Sequence, residues 1–178
     1  MNKSKRKFIY EAINSWQKQL AYHMQLVESA GIPIAEDEDT TPEKVHEFLQ
    51  KHADVISKGL AWIDKNFKDL DLDEALQKVG FSLQIVPDSE WIEHKTDPTE
   101  TSEDAHVVRV KESYLNDNPD FIRFRDECGW AYHELVHSIV FSGKMPKEFL
   151  DIDSPFGYPM NTDEIYAFGF QARKSTAN

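Results

Sequence analysis

The chain is poor in the features that most often assign a protein to a class. It has a single cysteine, Cys128, among 178 residues, which excludes an intramolecular disulfide and suits a reducing compartment. Basic residues are outnumbered: 20 Lys and Arg stand against 32 Asp and Glu, a net charge of -12. That balance argues against nucleic acid or an anionic membrane as the main partner. No apolar run nears the length that spans a bilayer. The basic start, Met1 to Lys7, runs into Glu11, Asn14 and Gln17, which interrupt a signal-peptide core. The expectation is a cytoplasmic chain. There are no repeats or low-complexity tracts, and no G-x-S-x-G, phosphate-binding glycine loop or C-x-x-C pair.

What remains is enough for a core, since 40% of residues are apolar and 12% aromatic. Ile9, Ile13, Trp16, Leu20 and Val27 recur at helical spacing, which predicts an amphipathic helix over about residues 6–30. Glu36-Asp37-Glu38-Asp39 reads as an exposed linker. Thr41 and Pro42 then open a helix, whose stripe of Val45, Phe48, Leu49, Val55, Ile56, Leu60, Trp62 and Ile63 runs to about residue 67. Asp71 caps a short helix that ends before Gly80. The period changes at Phe81, Leu83 and Ile85, which predict a half-buried strand. Residues 88–105 read as an acidic loop or flap, and Val107, Val108 and Val110 as a second strand. Asn118-Pro119-Asp120 starts a helix expected to continue to Phe141 and stop at Gly143, and Thr162 caps a last helix over 163–174. The fold class is α+β, with a helical region over 1–80 and a small sheet packed on helices over 81–178, together one compact unit.

One stretch names a chemistry. His133-Glu134-Leu135-Val136-His137 reads H-E-x-x-H. Residues four apart share a helix face, so the two imidazoles can reach one metal ion, with Glu134 about a third of a turn away. Two histidine ligands and a carboxylate able to take a proton from an activated water are parts of a zinc hydrolase. Phe121, Phe124, Cys128, Tyr132, Leu135 and Ile139 form an apolar stripe that buries one face of this helix. His133 and His137 lie on a neighbouring stripe with Trp130 and Val140, facing a sheltered site.

A third ligand is available on the last helix. Glu164 and Ala167 are three apart and share a face, so Ala167 permits close approach and Glu164 can reach the metal. Asp163 competes with it, being adjacent, while Asp151 and Asp153 are weaker candidates on the intervening loop. Plainer readings stand beside these. Paired histidines also serve as hydrogen-bonders in a core, and Glu164 also suits a helix's first turn through the dipole. Cys128 suits a core position, and His23, His46, His52, His94 and His106 read as surface residues. Tyr158 and Tyr166 are candidates for an oxyanion donor, though aromatic packing accounts for both.

The order of elements resembles the compact gluzincins. The Val107–Val110 strand, the Phe121-Ile-Arg-Phe-Arg segment before Ala131-Tyr-His-Glu-Leu-Val-His, and the Glu164-x-x-Ala167 helix are similar to those of ImmA/IrrE-like metallopeptidases over residues 81–174. The resemblance implies a minimal zincin-like fold holding Zn2+ on His133, His137 and Glu164, with Glu134 as catalytic base. It also implies a protein or peptide substrate. The expected activity is zinc-dependent peptide hydrolysis, with the substrate strand lying against the edge formed near Val107–Val110 and the acidic loop favouring basic or polar sequences. The rivals are an inactive zincin-like regulator and an acidic interaction protein with a coincidental motif.

Overall fold

The computed structural model describes residues 42–92, 97–125, 129–157 and 161–176. The helix expected over 6–30 and the acidic linker at 36–39 lie outside these residues, as do Cys128, Tyr158, His23 and His94.

Helix α1 spans Pro42–Phe67. Its buried positions, Val45, Leu49, Ala53, Ile56, Leu60, Ile63 and Phe67, step by three or four residues, so one apolar stripe turns inward along the whole helix. Helix α2, Leu72–Lys78, begins where Asp71 Oδ1 accepts from the Glu74 backbone N–H at 2.8 Å. Such a cap is worth about 1 kcal/mol. The turn after α2 is made by Gly80 at φ 77, a conformation that costs glycine nothing.

The protein is mixed α+β, with a three-stranded sheet in the order β1-β3-β2. Strand β1, Ser82–Val86, pairs parallel with β3, Val107–Lys111, while β2, Thr99–Ser102, pairs antiparallel with β3 from Thr99↔Val110 to Ser102↔Val107. Three expectations change here. The acidic stretch 88–105 is not all loop: it contains a 3-10 turn at Asp88–Glu90 and strand β2. Val107–Val110 is not an edge; β3 is the middle strand, hydrogen-bonded on both sides. Ile85, expected inward, is 51% exposed, and Val86 is buried in its place. Among the described residues β1 is an edge strand, and Ile85 and Val86 point to opposite faces of it, so one is in water and the other in the core.

The motif helix also starts later than the apolar spacing predicts. After a short α3, Glu112–Asp117, Phe121–Arg123 makes only a 3-10 turn, and Phe124 takes a left-handed φ of 59. Helix α4 runs Trp130–Phe141 behind Gly129, itself at φ 72. Two left-handed residues interrupt what reads as a continuous helix. The apolar stripe nevertheless makes its contacts from the loop: Phe121 is fully buried, and Phe124 stacks on Tyr132 with ring centroids 4.5 Å apart.

A four-residue helix, α5 at Lys147–Leu150, precedes α6 at Thr162–Thr176. Thr162 is the first residue of α6 rather than its cap: the Asn161 carbonyl accepts from the Ile165 N–H, and Thr162 Oγ1 accepts from the Ser154 N–H. One hydrophobic core joins α1, α2, the sheet, α4 and α6. At its centre α1 crosses α6 with Gly59 against Tyr166, where a Cβ on Gly59 would stand 2.6 Å from Tyr166 Cε1. The Tyr166 hydroxyl donates to the Phe149 carbonyl, a packing role rather than an oxyanion role. No helix among the described residues is long and apolar enough to cross a membrane.

Candidate metal centre

Helix α4 packs against α6 on one side and against β2, β3 and α2 on others. Nearly all of its middle is therefore out of water, including His133, Glu134, His137 and Ser138. Buried polar side chains are costly unless something satisfies them, and a buried charge is costlier still. What satisfies these groups is therefore the chemical question.

The two imidazoles and one carboxylate converge. His133 Nε2 lies 3.1 Å from His137 Nε2, 3.2 Å from Glu164 Oε2, and His137 Nε2 lies 3.0 Å from Glu164 Oε1. Zinc with ligands at about 2.0–2.1 Å in a tetrahedron has ligand-to-ligand edges of about 3.3–3.4 Å. The observed triangle is within a few tenths of an ångström of that. Glu164 Oε2 is buried with no hydrogen-bond donor among the described residues, and so is His137 Nδ1. A carboxylate oxygen left unpaired among imidazole nitrogens is what a cation would complete. The His133, His137 and Glu164 group is buried and able to hold a metal ion.

The electrostatics of the cluster's own side chains follow from the same contacts. Burial alone opposes charge on His137, but the Asp163 and Glu164 carboxylates beside the ring outweigh it and raise the imidazole to about 10. Burial alone would raise Glu164, but the His133 and His137 imidazoles set against it bring the carboxyl down to about 2. Without a metal, a proton on His137 takes the place of the cation.

Glu134 is held differently. Its carboxylate meets β2, where Thr99 Oγ1 donates to its Oε1 at 3.1 Å and Thr101 Oγ1 donates to its Oε2. Thr99 and Thr101 are two apart on a strand and so share a face. Each Glu134 oxygen has a second lone pair left to accept a proton. The carboxylate is 5% exposed, yet it lines the same cavity of about 250 Å³ as His133, His137 and Glu164. Trp130 and Phe141 form aromatic walls, and Asp97, Glu100 and Asp163 add acidic ones.

Of the residues singled out in the sequence, the structure brings His133, Glu134, His137 and Glu164 into one cavity. Asp163 is beside them, its Oδ2 3.4 Å from His137 Nδ1 on the far side of the ring from the triangle. Asp151 and Asp153 are exposed and do not line the cavity, nor do His46, His52 and His106. His52, read as a surface residue, is half-buried against Phe48, ring centroids 4.5 Å apart. Thr99 and Thr101 escaped the sequence reading. Their alternation with Glu100 after Asp97-Pro98 was the available signal, but it lacks the apolar residues by which strands are recognised. Gln171 was also missed; its Oε1 lies 3.0 Å from His133 Nδ1. No protein-family model matches the chain, and no match was found among curated proteins or solved structures.

Proposed function

We propose that this chain is a zinc-dependent peptidase of minimal zincin-like build, akin to the ImmA/IrrE-like enzymes. The observation that carries the reading is the triangle of His133 Nε2, His137 Nε2 and the Glu164 carboxylate, opening on the cavity that Glu134 lines. His133, His137 and Glu164 would hold the ion. Zinc there supplies Lewis-acid polarisation of a carbonyl and brings the pKa of a water to about 7. Glu134 accepts the proton from the attacking water on a free carboxylate lone pair, then delivers it to the leaving amine. Its hydrogen bonds to Thr99 and Thr101 keep the carboxylate from swinging away between those two transfers.

The substrate belongs on β2 rather than β3. Among the described residues β2 pairs only with β3, so its outer edge offers main-chain groups to an extended peptide. The acidic lining at Asp97, Glu100 and Asp163 favours basic or polar sequences beside the scissile bond. The test is Glu134→Gln, read on a mixture of fluorescence-quenched peptides. Hydrolysis should fall by about 10²–10⁴-fold while metal analysis still finds zinc. Undiminished cleavage by that variant would remove the mechanism.

A further inference from the structure

Helix α6 contributes more than one residue to the centre. Glu164 and Gln171 are seven apart, two turns along the same helix face, and Asp163 precedes Glu164. We infer that Gln171 and Asp163 are positioning residues that set His133 and His137 for metal binding, each from the ring nitrogen opposite the ligand atom. The inference rests on the metal reading of the triangle.

An imidazole that ligates through Nε2 must carry its proton on Nδ1. Gln171 Oε1, 3.0 Å from His133 Nδ1, is an acceptor and selects that tautomer. The His133 Nε2 lone pair is then directed at Glu164 and His137. On His137 the corresponding atom is Nδ1, buried and without a hydrogen-bond partner among the described residues, and the group that faces it is the Asp163 carboxylate, its Oδ2 3.4 Å away. Asp163 is itself fixed by a hydrogen bond from Asn161 Nδ2. The two histidines are therefore not equivalent. A neutral amide orients the first, whereas a carboxylate beside the second also raises its basicity as a ligand. Gln171 is the residue with the closer contact, so the sharper consequence falls on His133.

The experiment is a zinc titration of the full chain against a competing chelator, with cobalt(II) spectra alongside. Gln171→Leu, which keeps the bulk and removes the acceptor, should weaken zinc about 10–100-fold and shift the cobalt bands. Gln171→Glu, which restores an acceptor oxygen, should recover affinity and spectrum, a rescue that a merely space-filling role would not produce. Should Gln171→Leu fail to fold by circular dichroism, Gln171→Asn, shorter by one methylene, should show the same loss. Wild-type affinity and spectrum in the folded variant would overturn the inference and leave the metal reading intact. A wild-type chain that takes up no zinc, or a His137→Ala variant that keeps it, would remove the metal reading and this inference with it.

Discussion

Helix α1 and helix α4 are both buried along much of their length, but they are buried with opposite materials. Every inward position of α1 from Val45 to Phe67 is apolar. The middle of α4 buries His133, Glu134, His137 and Ser138 beside Leu135, Val136 and Ile139. On α1, each side chain removed from water contributes by its area, about 1.5–3 kcal/mol for a fully buried leucine or isoleucine. On α4, burial of the polar groups works against folding, and their mutual contacts offset only part of it. The first region is organised for stability and the second for something that stability does not explain.

The largest effect should come from making the second region resemble the first. Replacing His133, His137 and Glu164 together with leucine should eliminate zinc binding altogether. Denaturation in the presence of a chelator should find the triple variant as stable as the metal-free wild type or more so, by about 1–4 kcal/mol. A large loss of stability would mean that the polar cluster is itself a structural staple, and the contrast between the helices would collapse.

Next in size is the reverse experiment. Leu60→Ala should cost about 2–5 kcal/mol through the cavity it leaves, seen as a lower urea midpoint. Zinc affinity of the folded fraction should stay at the wild-type value. A matching loss of affinity would show that the two regions do not act separately.

The smallest effect is a slope. Zinc must displace the proton that His137 holds up to about 10, so affinity should rise about tenfold per pH unit over roughly pH 7 to 9. Metal-free stability should follow a different course. The histidine's contribution is complete below its unfolded value of 6.5 and is lost as pH rises through about 10. The glutamate's is complete above 4.5 and is lost as pH falls through about 2. The metal-free cluster therefore stabilises most between pH 4.5 and 6.5. Zinc affinity that is flat with pH would indicate that no proton is displaced.

The same contrast explains what could be read from sequence. Helix α1 announces itself because burial there is apolar and periodic, and Asp71 and Gly80 announce the ends of α2 by conformational need. The H-E-x-x-H spacing and the Glu164–Ala167 pair carry the positions of the clustered side chains because helix geometry is regular. Strand β2 was illegible because its inward residues, Thr99 and Thr101, are polar for the sake of Glu134, so the usual alternation is missing. The start of α4 was misplaced because Phe121 and Phe124 reach the core from a loop at helical spacing. Strand order lies beyond any single segment: nothing in Val107–Lys111 says that it sits between two neighbours.

Gly59 ties α1 to α6, the helix that carries Glu164, in a way that concerns sign rather than size. In an isolated helix, glycine at a central position is a defect of about 1 kcal/mol against alanine, and its replacement would be an improvement. In the folded chain the added methyl would press on the ring of Tyr166, two residues beyond Glu164. One substitution would thus help the helix as a peptide and harm it as a part. The flaw in α1 is a clearance, and it belongs to the neighbour that needs the room.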